Sequence, residues 1–192
     1  MLRYLIRNGL ALYSFKDVSL KSLGLMIQLN HRTACENPLP CHSFLNVIHV
    51  NGIHEVAFRY CGCSIAVSQK LQLLRRKIYP ASQSNIMTCA TFELLDFLHK
   101  ITHMTKSSTF DLYCALEKVM DNTGVCIPKS KYQALSDMSL QWRHLKLLKW
   151  AGRAHDPAGP DGTKPGELAL CCPSCPYPEI NIPQDWCEAA AR

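Results

Sequence analysis

Cys61 and Cys63, separated by a single glycine, place two thiols one residue apart, and thiolate sulfur is at once a nucleophile, a redox group and a ligand for borderline-soft cations. His31 and Cys35 stand upstream, and Cys41, His42, His49 and His54 lie in between. Sulfur and imidazole nitrogen are the donors that tetrahedral Zn²⁺ takes, at bond lengths of about 2.0–2.3 Å. Cys61, Cys63, His31 and Cys35 compose a Cys3His set on this reading, with Cys41, His42 and His54 as rival ligands. The competing account is packing, since free cysteine is among the most buried of residues. A C-x-C pair beside a Cys/His loop favours the metal. A second candidate is Cys172-Pro173-Ser174-Cys175, whose C-x-x-C spacing suits two thiolates on one Zn²⁺ or a redox pair. Cys171 and Cys187 are its available additions, no second pair stands nearby, and no βαβ pattern precedes it to support redox work. Cys89, Cys114 and Cys126 have no ligand spacing and are assigned to packing.

The elements that must position these thiols begin with Asn51-Gly52, which sits between two β-rich runs. That dipeptide suits a type I′ turn with both central residues at positive φ, so residues 41–63 read as a β-hairpin. The expected register sets Val50 against Ile53, His49 against His54 and Val47 against Val56, with Cys41 and His42 reaching Gly62 and Cys61 at the open end. After Cys63 the apolar period lengthens to that of a helix. Leu94, Phe97, Leu98 and Ile101 share one helical face, and Leu112, Ala115, Leu116, Val119 and Met120 share another. Ser108 followed by Asp111 predicts a capping-box start, and Asn122-Thr123-Gly124 before Pro128 predicts a stop. A third helix is expected from about Lys129 to Trp150, with Leu135, Met138, Trp142 and Leu145 as its seam. From Asp156 onward proline, glycine and cysteine predict loop. The fold class is α+β: a small zinc-associated β-hairpin module over 1–78, a helical linker segment over 79–155 and an irregular Cys/Pro-rich tail over 156–192.

Bulk properties exclude several classes. The 47% hydrophobic and 19% charged content is that of an ordinary folded chain, not a disordered one. Eleven cysteines are an odd number at irregular spacing, which argues for reduced thiols and an intracellular setting over a disulfide framework. The opening Met1–Phe15 mixes Arg3 and Arg7 with short apolar runs; it is too interrupted to span a membrane and reads as ordinary domain sequence, not as a targeting peptide. The net charge of +6 is unevenly spread, with residues 1–77 and 129–153 basic and 78–128 and 154–192 acidic. Arg75, Arg76 and Lys77 form one cationic cluster, and Arg143, Lys146, Lys149 and Arg153 recur at helical spacing as the other. Such patches neutralise phosphates and point to non-specific DNA contacts. The sequence holds no glycine-rich phosphate loop, nucleophile elbow or His-Glu-x-x-His helix, and no small-molecule substrate is implied.

A family likeness adds to this. Leu23-Gly24-Leu25, Gln28-Leu29-Asn30-His31, Val50 to Val56, Tyr60-Cys61-Gly62-Cys63 and Gln72-Leu73-Leu74-Arg75 resemble the CxC-like cysteine cluster domain found with fungal Kyakuja-Dileera-Zisupton (KDZ) transposases. Thr91 to Asp96, Phe110 to Tyr113, Trp142 to Lys146 and Gly166 to Pro176 are similar to the segment that links this domain to the catalytic domain. The resemblance runs from about Asp17 onward. It implies a nuclear, zinc-binding accessory region of a transposable-element protein, and a catalytic domain that would follow it, holding divalent metals with acidic residues. Relatives carry more Cys and His upstream, so the resemblance also implies a shortened copy whose metal site lacks those ligands. The expectation is therefore a non-enzyme that contributes DNA or protein contacts, with a transposase catalytic domain or another protein as its partner; the alternative is a protein-interaction module or a decayed fragment without activity.

Overall fold

The computed structural model describes residues 2–7, 13–30, 35–121 and 129–169, with 172, 174, 175, 177, 180 and 182 beyond them; its side chains are described from Val18 onward. Two compact units divide the chain, Met1–His144 and Leu145–Arg192. In the first, β1 (Leu2–Arg7) and β2 (Tyr13–Val18) pair with each other antiparallel. A three-stranded sheet follows, in the order β3 (Met26–Gln28), β7 (Ala57–Cys61), β4 (Pro38–Pro40). A four-stranded sheet takes the order β6 (Gly52–Glu55), β5 (Asn46–His49), β9 (Thr88–Thr91), β8 (Ile78–Pro80). The helices are α1 (Gln69–Arg75), α2 (Phe92–Thr105), α3 (Thr109–Met120) and α4 (Tyr132–Trp150). The α+β class holds, and among the described residues no helix is long and apolar enough to cross a membrane.

Strand β5 explains the layering. It lies inside its sheet, antiparallel to β6 and parallel to β9, and adjacent strand residues point to opposite faces. Ile48 and Ala90 join the core formed with Leu94, Leu95 and Leu98 of α2, Tyr113 and Leu116 of α3, and Leu135, Met138 and Trp142 of α4. Val47 and Cys89 face the other way, into a core with Leu29, Leu45, Val56, Phe58, Tyr60, Leu73 and Ile86. A sheet covered on both faces needs strands apolar on both faces, which is why Val47-Ile48 does not alternate with polar residues.

The hairpin forms, but its register differs from the expected one. His49 pairs with Gly52, Ile48 with Ile53, Val47 with His54 and Asn46 with Glu55, so Val50 and Asn51 make the turn. Gly52 alone of the pair takes positive φ, at 137°, and Asn51 does not, so the type I′ turn is absent. Gly52 is also approached by α3: a Cβ there would run into the Met120 sulfur. The hairpin does not continue to the thiols either. After Glu55 the chain leaves this sheet, and β7 pairs parallel with β3 and antiparallel with β4, setting Pro38 opposite Cys61. Cys41 instead donates its backbone N–H to Phe58 O at 3.0 Å.

The helices keep their expected positions with some exchanged faces. Thr91 caps α2, its hydroxyl accepting from Leu94 N, and Leu95 takes the buried place expected of Phe97, which is exposed. Ser108 and Asp111 form the capping box of α3, whose Tyr113 is buried while Val119 is exposed. The Tyr113 hydroxyl accepts from Lys131 N at 2.7 Å, fastening α3 to the start of α4. On α4, Leu135, Met138 and Trp142 are buried and Leu145 is exposed; the Trp142 indole donates to Asp96 Oδ1 at 3.2 Å and its ring lies 4.7 Å from that of Phe92. In the second unit Arg153 is ion-paired to Asp156 at 2.7 Å and to Glu167, and a short 3-10 turn spans Gly159–Gly162. The stop expected at Asn122–Pro128 lies outside the described residues.

Candidate metal centre

The thiols gather where β7 ends. Cys61 is its last residue, Gly62 follows, and Cys63 opens a turn closed by Ala66 N donating to Cys63 O at 2.9 Å. Cys35 arrives from the other side, just before β4. Asn37 locks the two segments together: its carbonyl accepts from Gly62 N at 2.9 Å and its side-chain amide donates to Gly62 O at 3.0 Å. Proline at both ends of β4 confines it to an edge, since proline has no N–H for the ladder. Gly62 permits the close approach, because a Cβ would stand 2.9 Å from two carbons of Leu39 and 3.1 Å from Asn37 O.

The result is a triangle of sulfurs. Cys35, Cys61 and Cys63 have Sγ atoms all within 4.8 Å of one another, and the Cys35 and Cys63 sulfurs are 3.6 Å apart. A tetrahedral cation with metal–sulfur bonds of about 2.3 Å needs ligand edges of about 3.8 Å. The spacing fits three vertices of such a polyhedron and is far beyond a disulfide bond of about 2.05 Å. Cys61 is buried and Cys35 and Cys63 half-buried, which shields the site from water on one side. Hydrogen bonds with Cys61 and Cys35 push the Cys63 thiol up to about 11. A cation reverses that balance by favouring thiolate. The triad is therefore close enough, and of the right donor chemistry, to bind a metal.

The other expected ligands, together with His49 and the cysteines assigned to packing, are placed elsewhere or lie outside the described residues. His31, Cys126, Cys171 and Cys187 lie outside them. The Cys41 sulfur accepts from Phe58 N at 3.1 Å and donates to His42 O at 3.4 Å, and it is not in the triad. His42 Nδ1 accepts from Phe44 N at 3.1 Å. His54 sits opposite Val47, with Nε2 2.7 Å from Asn51 Oδ1; burial, more than the nearby charges, lowers its pKa. His49 Nδ1 is 2.9 Å from the Thr91 hydroxyl. Cys89 is buried in the core, which pushes its thiol up to about 12, and Cys114 is half-buried on α3. Cys172 and Cys175 are exposed and close a turn in which Cys175 N donates to Cys172 O at 3.1 Å. Backbone N–H groups, that of Ser174 foremost, lower the Cys172 pKa.

The basic residues are also unequal in their surroundings. Arg75 Nη1 donates to Asn30 Oδ1 at 3.2 Å, while Arg76 and Lys77 are exposed, Lys77 at a φ of 59°. Arg143 Nη2 reaches the Thr102 hydroxyl at 3.4 Å, Lys146 is half-buried, Lys149 is exposed, and Arg153 carries its two carboxylate partners. Sequence reasoning missed Gln72, a fully buried amide on α1 beside the thiols. Its available signals were its place at the head of the Gln72-Leu73-Leu74-Arg75 motif and a polar residue within an apolar helical run.

Comparison with protein families matches residues 20–124, more than half of the chain, to the family described as CxC2 like cysteine cluster associated with KDZ transposases. No curated protein and no solved structure matches the chain. The matched span holds all three clustered cysteines together with the strands and the helix that position them, so the chain belongs to the CxC2-like cysteine cluster family associated with KDZ transposases.

Proposed function

We propose that this chain is a non-catalytic, zinc-binding accessory region of a KDZ-type transposase that works in the nucleus, its cysteine cluster organising a module for DNA or protein contacts. The observation that carries the reading is the Cys35–Cys61–Cys63 triangle inside the family-matched span. Three thiolates at this spacing suit Zn²⁺ as a structural ion, with His31 as the fourth ligand. Cys172 and Cys175, in their exposed turn, form a separate two-thiol half-site with Cys171 and Cys187 as additions. DNA contact would come through Arg75, Arg76 and Lys77 and through Arg143, Lys146, Lys149 and Arg153.

The test is metal content of the purified, reduced chain, with Co²⁺ substitution to report thiolate ligation by its charge-transfer absorption. One equivalent lost in the Cys61→Ser, Cys63→Ser double variant and retained in Cys41→Ser supports the reading. Content well below one equivalent, or content unchanged in the double variant, overturns it. Protein docking has one observation in its favour: Leu23 and Leu25, just before β3, and Met26 and Ile27 within it are all exposed. Salt separates the two partners, since binding through phosphates weakens steeply as ionic strength rises.

A further inference from the structure

We infer that Gln72 of α1 is the positioning residue of the metal centre, holding Cys61 and the Cys63 loop at ligating distance; this rests on the metal reading above. Gln72 is 1% exposed and Cys61 3%. A buried primary amide must find partners for its oxygen and its N–H groups, and all of those found here belong to the thiol segment. Its Oε1 accepts from Cys61 N at 2.8 Å, and its Nε2 donates to Cys61 O at 2.9 Å and to Val67 O at 2.8 Å. The first two bonds grip both backbone groups of Cys61, as a neighbouring strand would. The third reaches the far end of the stretch that begins at Cys63. One side chain thus spans the segment from Cys61 to Val67 and fixes how the chain turns between the two sulfurs.

The same helix also holds the loop that follows β3. Arg75, one turn on from Gln72, donates to Asn30 Oδ1 at 3.2 Å, and Asn30 holds a φ of 69° immediately before His31. Helix α1 is anchored in turn by Leu73, wholly buried in the core. The rigid body that places Cys61 is therefore α1, acting through Gln72 on the backbone of Cys61 and on Val67 at the far end of the Cys63 loop. Outer partners of this kind typically contribute about tenfold to a hundredfold in metal affinity.

The test compares Gln72→Met, which keeps the shape and removes every hydrogen bond, with Leu73→Ala, which opens a cavity one residue away and leaves the clamp intact. Co²⁺ affinity by competition titration should fall at least tenfold in Gln72→Met, with an altered charge-transfer band, and stay within about twofold in the folded fraction of Leu73→Ala. Equal losses in both, or an unchanged affinity in Gln72→Met, overturn the positioning role. Should the parent chain bind no Co²⁺ or Zn²⁺, the metal reading fails by itself, and the clamp is then read from the metal-free protein. Alkylation of Cys61 should be at least tenfold faster in Gln72→Met than in the parent, and an unchanged rate overturns the inference.

Discussion

Gly62 is required by crowding and not by its backbone angle. Its φ is not positive, yet the space for a Cβ is taken by Leu39 and by the Asn37 carbonyl. Leu39 is an exposed side chain that can yield, whereas Asn37 O is backbone and is held by Gly62 N itself. Gly62→Ala should therefore push β4 and Cys35 away from Cys61 and Cys63. The expected result is a loss of about 1–3 kcal/mol in unfolding free energy, together with weaker Co²⁺ binding. Denaturant melts and metal titration check the two effects, and an alanine variant equal to the parent in both would remove the crowding argument. The C-x-C pair and Cys35 were legible as a group from residue type and spacing alone. Cys41 and His54 were not separable from them, because the hairpin pairs two residues away from the expected register and the chain leaves its sheet after Glu55, and local spacing announces neither. Gln72 was hidden for another reason: a polar residue reads as solvent-facing until its partners are known.

Strand β5 shows what periodicity conveys at the level of an element and what it does not. Asn-Gly marked a hairpin correctly, but the register follows burial, and Val47 and Ile48 are both buried because a second strand, β9, lies alongside from 42 residues further on. No local pattern announces a parallel partner at that separation. Ile48→Ala should cost about 2–5 kcal/mol by opening a cavity between the sheet and α2, α3 and α4, as expected of a fully buried aliphatic. Ile48 made exposed by a hairpin with one wet face would lose far less, so denaturant unfolding distinguishes the two placements. The helix caps were more legible, since Ser108 and Asp111 satisfy each other within one turn. Hydrogen bonds from the Ser108 hydroxyl and N–H hold the Asp111 pKa below the ordinary carboxylate range. A depressed folded pKa gives support that is present above the unfolded pKa and is lost as pH falls through the folded one. Thermal melts of the parent should therefore lose stability through that acid window relative to Asp111→Asn, whose cap does not titrate; parallel curves would discount the cap.

At the scale of the whole molecule, the carboxylates decide what chemistry the chain can do unaided. Metal-assisted phosphoryl transfer needs acids converging on a rigid site, where cations activate the attacking oxygen and stabilise the leaving one. The acids that chain order would bring nearest to such a set are Asp96, Asp111 and Glu55, and each already has a structural task. Asp96 accepts from the Trp142 indole, Asp111 caps α3, and Glu55 is ion-paired to Lys21 at 3.2 Å. Asp137, on α4, accepts from Gln133 at 3.0 Å. Among the described residues the one group of His, Cys, Asp or Glu close enough to share a cation is the cysteine triad, and thiolates prefer Zn²⁺ to the hard Mg²⁺ that strand transfer uses. We therefore predict that the chain alone neither nicks nor joins DNA. Incubation with supercoiled and linear DNA in Mg²⁺ or Mn²⁺ should leave both DNA forms intact with the protein in excess. Nicking that disappears in Asp96→Asn or Asp111→Asn, with the fold retained by circular dichroism, would overturn the accessory reading, because each of those carboxylates would then be doing more than accepting a structural hydrogen bond. Nicking that persists in both variants and also in the Cys61→Ser, Cys63→Ser chain would trace to a co-purifying nuclease, which a heat-inactivated control and a further purification step would remove.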